Sequence, residues 1–246
     1  MKCLILLHDA TWKDTDLSKF EGDPLVLLAS KRIWERVRDP NINVVFCRFD
    51  SMLADGEVVR DSANTVRIHT KKDLKIESVN HYLNALHTVR KTFSWDFILT
   101  TTLGCYWVLP RLKEILERSP KSRLYFGRGF RTFQFPFVTF ISGSGILMTP
   151  DVVDMLIAAR DEICSIAEPN DVAVGRYLAR VEIPVVIYSE WMDFDFNTLE
   201  NLDNMIRESD ERGIVQYRVK NCVDRVKYDI PILERLSDYY RIADFT

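Results

Sequence analysis

The sequence predicts an α/β fold: one domain with a mostly parallel central sheet flanked by helices. Three observations predict it. Short apolar runs alternate along the chain with longer amphipathic patterns, the signature of strand-helix-strand units. The runs are apolar throughout rather than alternating, as strands covered on both faces require. No Pro/Gly/Ser-rich linker, internal repeat or low-complexity tract divides the 246 residues, so 1–246 reads as one domain.

The expected strands lie at 3–7, 43–46, 65–68, 97–100, 124–126, 137–141 and 184–188. A helix over 76–93 follows from Ile76, Val79, Leu83, Leu86, Val89 and Phe93, which fall on one stripe. A second helix is expected over 108–118. A third opens at Thr149-Pro150-Asp151, a capping hydroxyl followed by proline and then an acid at the positive helix end. A fourth starts at Asp171. The segment 196–246 is expected to pack on the domain as an extension, with a charged helix at 199–210, a strand at 215–219 and a last helix at 230–240.

Composition narrows the function classes. Apolar residues make up 47% and the formal charge is −3, which argues against a partner coated in nucleic-acid phosphates. Cys3, Cys47, Cys105, Cys164 and Cys222 are scattered without zinc or disulfide spacing, so they read as reduced thiols. No run approaches the ~20 apolar residues of a membrane span, so no transmembrane segment is expected. The apolar start is too short for a signal peptide, and the expected location is cytoplasmic.

Parallel sheets bind ligands at the carboxyl ends of their strands, so the loops there are the candidate sites. Ser142-Gly143-Ser144-Gly145 reads as a strand end of small residues that lets a ligand approach the backbone, or as a tight turn or bulge. Asp171 at a helix start, with Glu168 and Asn170 before it, reads as a helix cap or a general base. Thr100, Thr101 and Thr102 end a buried strand with three hydroxyls, suited to a sugar or phosphate or to capping the next helix. Arg218 and Lys220 would share one strand face, with Arg225 soon after. Such cations can neutralise a departing diphosphate, or simply protect a strand edge. Asp193 and Asp195 could share Mg²⁺ or Mn²⁺ through oxygen ligands. His8, His69, His81 and His87 have no metal-ligand spacing.

Taken in order, these segments resemble the fringe and β-1,3-galactosyltransferase families over about residues 65–240. Ser142-Gly143-Ser144-Gly145 and Asn170-Asp171-Val172-Ala173-Val174-Gly175 are similar to their SGxG and EDVxxG core. The 97–107 stretch, Tyr217-Arg218-Val219-Lys220-Asn221, Arg225 and Asp229-Ile230-Pro231 resemble small bacterial and large-virus members. The resemblance implies a glycosyltransferase-A fold and an inverting transfer. A hexosyl or pentosyl unit would pass from a UDP- or GDP-sugar donor to a hydroxyl of a glycan or glycoconjugate acceptor. It implies Asp171 as base, Thr100–Thr102, Arg218, Lys220 and Arg225 on the donor, and Ser142–Gly145, Glu168 and Asn170 on the acceptor side. The animal enzymes carry an Asp-x-Asp metal motif after a central strand. Here threonines stand in that region, leaving Asp193 and Asp195 as the alternative ligands. The other reading is a glycan- or nucleotide-binding protein of the same fold without catalysis.

Overall fold

The structure is a computed structural model that describes residues 1–9, 24–50, 53–54, 57–69, 74–134, 136–166, 168–188, 191–196, 198–219 and 224–242. The amino-terminal half contains β1 (Cys3–Asp9), α1 (Pro24–Trp34), β2 (Ile42–Asp50), β3 (Val58–Ser62), β4 (Thr65–His69), α2 (Leu74–Thr92), β5 (Phe97–Thr102), β6 (Cys105–Trp107) and α3 (Leu109–Arg118). There follow β7 (Tyr125–Arg131), β8 (Thr139–Met148), α4 (Pro150–Ala158), α5 (Arg160–Cys164), α6 (Asn170–Arg180) and β9 (Val185–Ile187). The last elements are β10 (Met192–Phe196), α7 (Leu202–Glu211), β11 (Gln216–Val219) and α8 (Arg225–Tyr239).

Eight strands form the main sheet in the order β3-β4-β2-β1-β5-β8-β7-β9. β4, β2, β1, β5, β7 and β9 run the same way, while β3 and β8 oppose them. Both faces are covered, which is why the strands are apolar throughout. Ile5, Leu7, Phe97, Leu99 and Leu147 join the core under α1, α3, α7 and α8. Their neighbours Leu4, Leu6, Ile98, Ile146 and Met148 join the core under α2, α4 and α6. Truncating one of these buried leucines to alanine costs about 2–5 kcal/mol.

A second sheet, β10-β11-β6, ties the carboxyl-terminal segment into the middle of the chain. β11 pairs parallel with β10 and antiparallel with β6.

Four local expectations change. Ser142–Gly145 is not a strand end: β8 runs through it, paired in register with β5 on one side, Gly145 opposite Thr101, and bulged against β7 on the other, where the register shifts between Gly127↔Ile146 and Gly129↔Ile141. Small residues are needed there because other groups press on the strand. A Cβ at Gly145 would lie 2.6 Å from the Trp107 ring. Thr149 does not cap α4 through its hydroxyl; its Oγ1 accepts from the Leu124 N–H at 3.1 Å. Thr100–Thr102 do not lead straight into a helix, because the buried strand β6 intervenes. The last helix starts at Arg225 rather than 230: Asp224 caps it by accepting from the Lys227 N–H at 2.9 Å, and Pro231 sits inside. That proline lacks the N–H that would reach the carbonyl four residues back, yet tertiary packing holds the helix.

Candidate functional site

The site candidates gather at the end of the main sheet where β1 and β5 finish. His8 of β1 pairs with Thr102 of β5 in register. β8 runs the other way, so its first half, with Gly143 and Ser144, reaches that same end. β11 ends there too, because the Val219 N–H donates to the Gly104 carbonyl at 3.0 Å.

Asp171 lies in the first turn of α6, whose cap position is Pro169. Its carboxylate is therefore not the end cap. Oδ1 accepts from the adjacent Val172 N–H at 3.0 Å, and Oδ2 accepts from the Gly143 N–H at 3.0 Å. The acid clips helix α6 to strand β8 across 28 positions of sequence. Gly143 allows the approach: a Cβ there would already be 3.4 Å from Oδ2. Each carboxylate oxygen keeps a second lone pair for another donor. The Asp171 charge also reaches the two buried phenols nearby. Burial pushes Tyr82 up, its hydrogen bond to Thr100 opposes this, and Asp171 adds to the rise. Burial likewise pushes Tyr125 up, with Asp171 a smaller contribution.

The neighbouring Ser144 carbonyl is the hub that connects this acid to the other candidates. It accepts from Thr101 Oγ1 at 2.6 Å and from Gln216 Nε2 at 2.7 Å. Thr101 in turn accepts from Trp107 Nε1 at 3.1 Å. Gln216 and Arg218 fall on one side of β11, so the row that touches Ser144 continues to Arg218. That next position lies about 6.6 Å farther along β11. Arg218 is half-buried. Lys220 lies outside the described residues.

Arg225 is held by an acid one helical turn later. Its Nε pairs with Oδ2 of the fully buried Asp229 at 2.5 Å. The pair aims the guanidinium at the turn after β5: a Cβ at Gly104 would meet Arg225 Nη2 at 3.4 Å. Arg225 and Asp171 approach the strand ends from opposite layers, α8 on one side of the sheet and α6 on the other.

Other candidates have internal partners. Thr100 Oγ1 lies 3.1 Å from the Tyr82 hydroxyl, and the exposed Thr102 has its Oγ1 3.4 Å from Cys105 Sγ. The Ser142 and Ser144 hydroxyls are buried and bond each other at 2.8 Å. Gly145 is buried beneath Trp107 and Gln216. Glu168 forms a bidentate pair with Arg176 and is not aimed at Asp171's free lone pairs. Asn170 is the half-buried first residue of α6. Among the described residues, the end of β5 offers hydroxyls already in use and no carboxylate pair for a divalent cation. Among the described residues, no group of three or more His, Cys, Asp or Glu side chains is placed to hold a metal ion. Asp193 and Asp195 fall on β10, but their side chains lie outside what the structure describes.

Sequence reasoning passed over Gln216, Trp107, Tyr82 and Asp229. A glutamine in an apolar strand and an acid four residues after Arg225 on a helix were the available signals. His8 was also read as ordinary. Desolvation pushes its imidazole down to about 4, so it is neutral near pH 7, with its ring 5.6 Å from that of Tyr82.

No family model and no curated protein matches the sequence. Among solved structures, the fold is similar to that of a glycosyltransferase involved in the glycosylation of the major capsid of PBCV-1. The TM-score is 0.50 at 10% identity, over 94% of this chain and 99% of that one. No helix among the described residues is long and apolar enough to cross a membrane. The likeness is one of fold, and the chain has a glycosyltransferase-A-like α/β architecture, an eight-stranded sheet flanked by helices.

Proposed function

We propose that this chain is an inverting glycosyltransferase that moves a sugar from a nucleotide-diphosphate sugar to a hydroxyl of a glycan or glycoconjugate. The observation that carries the reading is the Asp171 carboxylate fixed on the Gly143 N–H at the ligand-binding end of the sheet. The fold supports it, as does the order of segments shared with the fringe and β-1,3-galactosyltransferase families.

In this reading Asp171 takes the proton of the acceptor hydroxyl as that oxygen attacks the anomeric carbon. The new C–O bond forms on the face opposite the leaving group. The old bond to the diphosphate breaks, and its electron pair leaves with the nucleotide. Arg218, Lys220 and Arg225 stabilise the departing charge, a role suited to fixed cations. The Gly143 N–H keeps the base oriented, and bare backbone at Gly143 leaves room for the acceptor. Ser142 and Ser144 support that stretch through their mutual hydrogen bond. UDP- and GDP-sugars are the donors to try first.

A second reading, binding of nucleotide or glycan without turnover, is favoured by the threonines that end β5 where the animal enzymes of the resembled families carry an Asp-x-Asp metal motif. One panel separates the two. Thermal unfolding is measured with UDP- and GDP-sugars, with and without Mn²⁺, and product formation is followed by NMR. A donor that binds the native state at 100 times its Kd stabilises it by about 2.7 kcal/mol. Transfer or donor hydrolysis excludes the binding-only reading. Stabilisation without product excludes the transferase, and neither effect excludes both.

A further inference from the structure

The β7–β8 hairpin carries an exposed aromatic tip that the proposed chemistry does not use. Phe133 is 99% exposed and Phe137 53% exposed at the turn, with Phe130 partly open beside them. Ile187 of the edge strand lies over Gly129, extending the apolar patch from the neighbouring strand. Large apolar side chains grouped on one surface mark a contact site.

The tip is built to project. The Thr132 N–H donates to the Val138 carbonyl at 2.9 Å, and the Val138 N–H donates to Thr132 Oγ1 at 3.0 Å. Arg176 of α6 donates to the Pro136 carbonyl at 2.8 Å. Phe140 anchors the base, its ring tilted against that of Phe130 at 6.2 Å and its Cβ packing against Gly175, where an added Cβ would clash. The aromatic rings are thus presented on a pinned frame.

Charge identifies the partner. The chain is acidic overall, at −3, yet no Asp or Glu occurs between Glu117 and Asp151. Arg128 and Arg131 flank the aromatic residues, Arg131 lying 4.8 Å from the Phe137 ring centre. A carbohydrate platform would want Trp or Tyr and a set of amide or carboxylate side chains. The tip instead presents phenylalanine, with only Thr132 and Gln134 as uncharged polar side chains. Phenylalanine beside arginine, in a hairpin whose own sequence carries no acid, suits acyl chains under anionic headgroups.

We propose that the tip of this hairpin is a docking wedge for anionic phospholipid bilayers, in which Phe133 and Phe137 enter the acyl boundary while Arg128 and Arg131 contact lipid phosphates. The base of the hairpin adjoins α6 and Gly143, so docking would set that end of the sheet against the bilayer surface. This inference does not depend on sugar transfer.

The test is co-sedimentation of the full chain with phosphatidylcholine vesicles, with and without phosphatidylglycerol. Expected is binding to the phosphatidylglycerol vesicles that weakens as salt rises. Phe133→Ser with Phe137→Ser should reduce it about tenfold or more. Arg128→Gln and Arg131→Gln should each reduce it about fivefold and lessen the salt dependence. These residues are at the surface, and unchanged thermal unfolding checks that each variant is folded. Failure of the folded wild-type chain to bind either vesicle overturns the proposal. So does vesicle binding that the phenylalanine variants leave intact. Binding to an acidic protein surface that those variants abolish, with no vesicle binding, assigns the tip to a protein partner instead.

Discussion

Asp171 Oδ2 accepts the backbone N–H of Gly143 at 3.0 Å and thereby joins the first turn of α6 to the middle of β8. Next to it, the Ser144 carbonyl collects Thr101 and Gln216. One two-residue stretch of strand therefore connects an acid from one helical layer with the strand that bears Arg218. Small residues in β8 make these approaches possible, and substitutions there have definite consequences.

Gly145→Ala places a methyl group 2.6 Å from Trp107 and 2.8 Å from Gln216 Oε1, both fully buried. Overpacking of this kind costs about 1–3 kcal/mol. Gly213→Ala meets no atom within 4 Å, but its φ of +75° strains any side chain, for about 1 kcal/mol. Urea unfolding should rank Gly145→Ala as the more damaging of the two.

Much of this architecture was legible. The apolar runs of β1, β2, β4 and β5 and the stripe of α2 follow from burial on two sheet faces, which writes itself into residue type. β3 was not legible because its residues are largely exposed and do not alternate. β6 is only Cys105-Tyr106-Trp107, too short to show a period. The small residues at 142–145 pointed to the right place for a partly wrong reason. They read as a strand end, a turn or a bulge; β8 does bulge there against β7, and the small residues clear space for Trp107 and Asp171 from elements far away in sequence. Such tertiary causes leave no local pattern. The ion pair of Glu168 with Arg176 was equally hidden, although its spacing of 8 positions spans about two helical turns.

Arg225 and Asp229 test whether a cation near the site is structural, functional or both. Arg225→Leu leaves the carboxylate of Asp229, which is 0% exposed, without its guanidinium and should cost about 3–5 kcal/mol. Arg225→Leu with Asp229→Leu should recover most of that stability, since an apolar pair of similar volume is often neutral. Donor affinity, read by thermal shift with a nucleotide sugar, should not recover. Recovery of both would make the pair purely structural.

His8 gives the pH dependence a direction. Desolvation depresses its folded-state pKa from 6.5 to about 4. The unfolded chain therefore binds the proton first as pH falls. Stability is full above about pH 6.5 and declines towards pH 4, by roughly 3 kcal/mol in all. His8→Gln should flatten urea midpoints across that window. A midpoint that falls equally in the variant would assign the acid sensitivity elsewhere.

The most direct measurement is sugar transfer by Asp171→Asn beside the wild-type chain, with donor affinity measured on both. The amide keeps the carboxylate's shape and an oxygen for the Gly143 N–H, gives up the hydrogen bond from the Val172 N–H, and cannot take up the acceptor proton. The account predicts a loss in kcat of about 10²–10⁴-fold with donor affinity essentially retained and stability lowered by no more than about 1–3 kcal/mol, the penalty of one unmade hydrogen bond. Turnover by Asp171→Asn equal to that of the wild type would contradict it.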